Sequence, residues 1–337
     1  MNEHASAVLR DKLAGMIDGY RVSQLLCVAA ELRIADLLRE GPRGADDIAA
    51  AVPADARSVF RLLLALASAG IVEHLGERRF ALSPLGEWLR SDRDGSLAPW
   101  ALLSARMYGA WGDFRDAIAT GKGGIGSGYG KGRWERLEQS DGEAAVFHQA
   151  MGANSAWLAC RLLDAYDFSA CRLIVDVGGG NGALVAALLG KFPETRGIVF
   201  DLPESVGEAT TRLERTGAAA RCEIRTGSFF DPVPRGGDLY LLSRVLHDWD
   251  DEHAVRILES TRRAMTSGTP LLVIERLLDP DRPSIEATLS DLGMLLMNGG
   301  RERSATEFEA LLATAGFGMN RVIATGTPLY ILEAIAS

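Results

Sequence analysis

The chain is poor in the residues that build stapled or metal-held scaffolds. Its four cysteines, Cys27, Cys160, Cys171 and Cys222, lie far apart with no C-x-x-C pair. Neither a zinc site nor a disulfide framework is expected, and the thiols read as reduced and buried. Histidine is scarce too: His4, His74, His148, His247 and His253 are mostly distant from one another, and no metal-ligand cluster is visible near the strands described below. Positive charge is in deficit. With 36 Lys and Arg against 45 Asp and Glu the net charge is -9, which disfavours a protein whose main task is holding a phosphate backbone. No unbroken apolar run reaches the length of a signal segment or membrane span, so a cytoplasmic location is the expectation. What is present, 47% hydrophobic and 24% charged residues over 337 positions, describes a globular chain with room for about two domains.

The first part has helical grammar. Apolar residues recur at three and four over Val22 to Leu38, Ala45 to Ala51 and Ala56 to Ala69, with a break at Gly41-Pro42. Residues 70–82 read as a small hairpin turning at Gly76-Glu77, and Ser83-Pro84 opens another helix. Three helices and a hairpin make a winged helix, a common DNA reader. Its third helix, past Arg57 and Arg61, runs Leu-Leu-Leu-Ala-Leu-Ala-Ser-Ala, and residues 1–100 hold 12 Lys and Arg against 14 Asp and Glu. Pairing with another chain suits such a surface better than nucleic acid. Residues 96–170 continue as helix around a glycine-dense stretch, Gly121 to Gly130, which is either a flap over a substrate pocket or a plain surface connection.

After residue 170 strand and helix alternate. Leu173–Val177, Ile198–Leu202, Cys222–Thr226, Asp238–Leu242 and Leu271–Glu275 read as strands, with helices at Ala183–Leu189, Glu204–Arg215 and Glu252–Met265. A doubly wound parallel sheet follows, an α/β class. A helix at Ala305–Ala315 precedes two strands, Asn320–Thr325 and Leu329–Ala334, whose short link Gly326-Thr327-Pro328 implies an antiparallel hairpin at the sheet edge. Three regions are expected: 1–95, a winged-helix pairing domain; 96–170, a helical linker and lid; and 171–337, a cofactor-binding catalytic domain.

The first strand of that sheet ends in Asp176-Val-Gly-Gly-Gly-Asn-Gly. Gly178, Gly180 and Gly182 are evenly spaced, which is not the G-x-G-x-x-G turn of a dinucleotide fold. The glycines let the backbone turn sharply and approach a ligand. Asp201 ends the second strand about 20 residues on, before Leu202; its carboxylate can accept both ribose hydroxyls, or it can serve as a helix N-cap. At the third strand's end Phe229 can stack on an adenine and Ser228 can hydrogen-bond its edge, and the fourth delivers Ser243 and Arg244, whose guanidinium can cover the base. His247 follows just past the sheet's carboxyl edge, where a general base would stand, with Glu275 and Glu302 as available carboxylates; a plain contact with the acidic run after it fits the position equally.

Taken in order, Asp-Val-Gly-Gly-Gly-Asn-Gly at 176–182, Phe-Asp-Leu-Pro at 200–203, Gly-Ser-Phe-Phe at 227–230, Leu-His-Asp-Trp at 246–249 and Gly-Gly-Arg-Glu-Arg at 299–303 resemble the successive motifs of the caffeate and hydroxyindole type of S-adenosylmethionine (SAM)-dependent O-methyltransferase. The resemblance spans nearly the whole chain. It implies a Rossmann-like SAM-methyltransferase sheet with an N-terminal all-α winged-helix domain that forms an interlocked homodimer, SAM as cofactor and S-adenosyl-L-homocysteine as product. It further implies His247 as general base, Glu302 and Glu275 as its flankers, Asp248 as a neighbour orienting the pocket, and Phe147, Met151, Met294 and Asn298 as acceptor-pocket positions, although core packing accounts equally for the methionines. Plant members carry Asp where this chain has Ser228, so the adenine contact moves to the hydroxyl or the backbone. The activity implied is methylation of a phenolic or enolic hydroxyl on a small aromatic metabolite. Alternatives are a same-fold enzyme methylating nitrogen or carbon, one holding SAM without transferring its methyl, and a winged-helix regulator with a ligand domain.

Overall fold

The computed structural model describes residues 3–93, 95–123, 141–297 and 299–337. The chain divides into two compact units, Met1–Tyr108 with Gln149–Ala153, and Gly109–His148 with Asn154–Ser337.

The first unit contains α1 (Glu3–Ile17), α2 (Gly19–Glu31), α3 (Ile34–Leu37), β1 (Arg43–Gly44), α4 (Ala45–Ala50), α5 (Ala56–Ser68), β2 (Val72–His74) and β3 (Arg79–Leu82). Asp55 starts α5 by accepting the Ser58 N–H at 2.9 Å. From there Val59, Leu63 and Leu66 fall on one face and bury against Ile48 and Phe80. The antiparallel pairs β1–β3 and β2–β3 complete a winged helix. The helix expected after Ser83-Pro84 is only a 3-10 turn at Gly86–Leu89. The buried Ser83 hydroxyl is the reason: it donates to Gly70 O and accepts the Gly86 N–H, and these local bonds compete with a helical start. Along α1 and the start of α2, Val8, Leu9, Leu13, Met16, Ile17 and Tyr20 are exposed, an apolar surface of the kind that pairs with another chain.

Three helices follow, α6 (Ala98–Gly112), α7 (Phe114–Thr120) and α8 (Asp141–Ala165). Most of the glycine-dense stretch, residues 124–130, lies outside the described residues. The catalytic-type unit then runs β4 (Leu173–Val177), α9 (Ala183–Lys191), β5 (Arg196–Asp201), α10 (Ala209–Arg215), β6 (Cys222–Thr226), β7 (Leu239–Ser243), α11 (Asp251–Ala264), β8 (Pro270–Arg276), α12 (Ile285–Met297), α13 (Ala305–Thr314), β9 (Phe317–Ala324) and β10 (Leu329–Ala336). These strands form one sheet in the order β6-β5-β4-β7-β8-β10-β9. The first five are parallel and β10 is antiparallel to both neighbours, the edge hairpin that the Gly-Thr-Pro link implies.

Ile174, Val175, Leu239, Leu241, Leu242 and Leu272 are fully buried, because helices cover both faces of a parallel sheet and its central strands must be apolar throughout. The chain leaves β4 for β5 on one side and returns to β7 on the other, which opens a crevice at the carboxyl ends of β4 and β7. The helix expected from Glu204 begins at Ala209, after turns around Pro203 and Gly207. Of the four thiols expected to be buried only Cys27 is: Cys171 and Cys222 are half-buried, and Cys160 is exposed on α8, away from the buried Leu158 and Leu162. No described helix is long and apolar enough to cross a membrane.

Candidate active site

The β4 strand delivers its glycine turn to the crevice. Gly178 has φ +75°, and a Cβ there would lie 2.6 Å from Val245 Cγ2 and 3.8 Å from the Phe229 ring, so the turn packs directly on the segment that leads to His247. Gly180 has φ +52° and faces open space. Asp201 binds this turn: Oδ2 accepts the Gly180 N–H at 2.8 Å and Oδ1 the Leu202 N–H at 2.7 Å. The N-cap reading of Asp201 does not hold, since no helix starts beside it.

Asp176 lies beneath the turn, its carboxyl carbon 2.9 Å from where a Gly179 Cβ would sit. It is only 2% exposed, and Oδ1 has no hydrogen-bond partner. Burial, then the neighbouring Asp201 carboxylate, push its pKa up to about 7. A buried acid short of a donor, beside an open glycine backbone and a second carboxylate, suits a cationic ligand.

On the far side, Phe229 stands edge-on to Trp249 (5.9 Å) and Phe230 (5.1 Å). Ser228 is half-buried and its Oγ accepts the Phe230 N–H at 3.2 Å, a local turn that leaves the hydroxyl proton to donate. Ser243 ends β7. Arg244 follows in the left-handed region at φ 57°, its N–H bonded to Ile274 O. Burial lowers the pKa of its guanidinium, against the opposing influence of Glu275 and Asp248.

That group assembles three distant segments. His247 is in a 3-10 turn, Leu246–Asp248, reached from β7; Glu275 comes from the end of β8; Glu302 follows α12. His247 Nδ1 lies 3.1 Å from Glu275 Oε2, a close contact outside hydrogen-bond alignment, and 3.7 Å from Glu302 Oε1. Nε2 points the other way, 3.7 Å from Asp248 Oδ1. Burial alone would lower the imidazole, but the Glu275, Asp248 and Glu302 carboxylates outweigh it and hold the ring well above 6.5. Glu275, fully buried, uses Oε1 to accept the N–H groups of Val245 (3.0 Å), Leu246 (2.8 Å) and His247 (3.4 Å). Burial likewise favours a neutral Glu302, yet His247, the Ser290 hydroxyl at 2.6 Å and Arg276 hold its carboxyl below the usual range.

Sequence spacing concealed two things here. One is that His247, Glu275 and Glu302 put a ligand atom each within 4.8 Å of one another, geometry that can seat a cation; the expectation of no such cluster is corrected, because its members are far apart in the chain. The other is the supporting layer of Ser290, Arg276, Gly300 and Arg303, for which the only signal was the Gly-Gly-Arg-Glu-Arg run itself. Among the acceptor positions, Phe147 and Met151 are half-buried on α8 and Met294 is half-buried on α12; their place at an acceptor pocket rests on the resemblance. Asn298 lies outside the described residues.

Fold and site together define a Rossmann-like transferase, with a glycine-turn crevice at the ends of β4 and β5 and a histidine backed by one carboxylate from β8 and another from the segment after α12. Residues 111–318 match the family model of the O-methyltransferase domain and residues 14–92 that of the O-methyltransferase dimerisation domain. The chain belongs to the O-methyltransferase family, and it is a SAM-dependent enzyme. It is 38% identical to a phenazine O-methyltransferase of Lysobacter antibioticus, over 99% of this chain and 98% of that protein. It also resembles the solved structure of human N-acetylserotonin methyltransferase in complex with SAM, with a TM-score of 0.90, 32% identity and 98% of each chain covered. A phenazine-1-carboxylate N-methyltransferase of Pseudomonas aeruginosa is 31% identical over 96% of each chain.

Proposed function

We propose that this enzyme methylates a hydroxyl of a small aromatic metabolite, with His247 as general base. The observation that carries the reading is the orientation of His247. Its Nδ1 edge faces Glu275 and Glu302, which favours the tautomer protonated there and leaves the Nε2 lone pair for an acceptor proton. When bound, SAM supplies an electrophilic methyl on a sulfonium that departs as a neutral thioether. The acceptor O–H proton passes to Nε2 as the O–CH3 bond forms, and Glu275 and Glu302 stabilise the imidazolium. Asp176 would hold the cationic part of the cofactor, Asp201 its ribose hydroxyls and Phe229 its adenine. Little else is required, because methyl transfer from a sulfonium depends mainly on holding the two reactants in line.

Because the carboxylates raise the His247 pKa against the effect of burial, activity should rise as pH climbs through that raised pKa. The exposed apolar residues of α1 and α2, within a match to a dimerisation domain, support a homodimer.

The test is His247→Ala with labelled SAM and a panel of phenolic acceptors, including 2-hydroxy-5-methyl naphthoic acid, which a related O-methyltransferase holds in its structure. Turnover should fall about 100-fold or more with SAM affinity unchanged; a variant as fast as its parent would sink the base assignment. Relatives at about 31% identity that methylate nitrogen support a second reading, and the methylated atom of the product decides between the two.

A further inference from the structure

Arg303 is fully buried and is the largest such side chain among the described residues. It lies next to Glu302 but faces elsewhere. Nη1 donates to Leu246 O at 2.8 Å, Nη2 to Trp249 O at 2.7 Å and Nε to Asp251 Oδ1 at 2.9 Å. The two carbonyls bracket His247 in the chain. The carbonyl of His247 itself accepts the Arg301 N–H at 2.9 Å. A Cβ on Gly300 would lie 2.1 Å from that same oxygen, so only glycine lets the 299–303 stretch approach so closely. The stretch is tied in turn to the strand that carries Glu275, through a parallel bridge between Leu277 and Arg303 and the bond from Leu278 N–H to Arg303 O at 3.0 Å.

The base turn is therefore held from two sides. Its N–H groups at 245–247 converge on Glu275 Oε1, and its carbonyls at 246, 247 and 249 are taken by Arg303 and the Arg301 backbone. We propose that Arg303 is a positioning residue for methyl transfer: its guanidinium fork fixes the turn so that the His247 ring stands against Glu275 and Glu302. A planar fork can reach two carbonyls and a carboxylate at once, whereas a lysine ammonium is a point donor on a flexible stem. Without the fork two buried carbonyls lose their donors and the turn relaxes, carrying the imidazole away from the carboxylates. An error of about 1 Å in a reacting group is enough to cost about 100-fold in rate.

This inference rests on the base reading, so its test is independent of turnover. The full-length protein, loaded with S-adenosylhomocysteine and labelled at histidine, is titrated by NMR, the His247 signal being assigned by its loss in His247→Ala. Arg303→Met should move the His247 midpoint down by about one pH unit toward the unperturbed value. Asp251→Asn, which alters the solvent-facing carboxylate that Arg303 shares with Arg301, should move it the same way by less, and Arg303→Lys should restore part of the shift. If Arg303→Met does not fold, Asp251→Asn decides. A His247 midpoint within about 0.2 unit of the parent in the deciding variant overturns the proposal. Turnover adds a second reading, since Arg303→Lys should slow the parent enzyme but add nothing further in the His247→Ala background, a non-additivity that a merely structural arginine does not produce. An active His247→Ala would defeat the base reading alone and leave the titration result standing.

Discussion

Asp176 and Glu275 are both buried acids on the carboxyl edge of one sheet, on β4 and β8, yet their surroundings are opposite. Asp176 has an oxygen with no partner and a pKa pushed up to about 7. Glu275 gathers three backbone N–H groups on one oxygen and an imidazole beside the other. A polar group left unsatisfied in the interior is destabilising on its own and is tolerated where an incoming ligand will satisfy it. Glu275 Oε2 also lacks a hydrogen bond, but it lies 3.1 Å from the His247 ring, whose charge it can stabilise, whereas the charged neighbour of Asp176 is another carboxylate, Asp201. The base end thus carries its own counter-charge, and the cofactor end is built to receive one from a guest.

Gly300→Ala attacks the base end most directly. Its new methyl would overlap the His247 carbonyl at 2.1 Å and meet the Asp248 backbone at 2.6 Å, both rigid main-chain atoms. Turnover should fall about 100-fold or more, or the protein should lose thermal stability outright, whereas SAM affinity in the folded fraction stays near the parent value. Retained turnover would show that the base turn does not need the 299–303 stretch. Glu302→Gln is gentler. The neutral amide removes one of the carboxylates that raise His247, so turnover drops about 10-fold or more while the acid limb of the pH–rate profile moves down toward 6.5. An unmoved limb would separate Glu302 from the base.

The cofactor end responds differently. Because the Asp176 pKa is raised above its unfolded value, its contribution to stability is present below about pH 4 and is lost as pH climbs to about 7, by roughly 4 kcal/mol at most. SAM, as a cation, favours the ionised form, so affinity should rise with pH through about 7 with release of a proton. Asp176→Asn should remove that pH dependence and weaken SAM about 10-fold at high pH, with turnover of the saturated enzyme little changed, as calorimetry in buffers of different ionisation enthalpy can establish. A pH-dependent affinity surviving in the variant would remove Asp176 from the cofactor site.

What could be read in the sequence follows the same division. The sheet was legible because its strands are continuous apolar runs separated by glycine turns, and the 173–182 motif was legible because a backbone that must approach a ligand requires glycine locally. Winged-helix elements showed through their helical period, but the turn after Ser83 did not, since one buried hydroxyl decided it. At the base, residue types were visible and their partnership was not. His247, Glu275 and Glu302 come together only through the strand order, and nothing local marks Arg303 as buried or Ser290 as the donor to Glu302.

The smallest expected effect concerns metal. His247, Glu275 and Glu302 are close enough to share a cation, so geometry by itself permits a metal at the base. Electrostatics favours the proton. Arg276 lies 3.7 Å from Glu302 and Arg244 adds a second positive charge to the group, both opposing a divalent ion. Glu275 Oε1 is committed to three N–H groups, and on the proposed base reading the imidazole edge facing the carboxylates carries the proton. Exhaustive dialysis against EDTA should therefore leave turnover unchanged, and added zinc should inhibit by displacing that proton and fixing the ring. Loss of activity on dialysis, restored by one divalent ion, would instead make the three residues a metal site and reassign His247 from base to ligand.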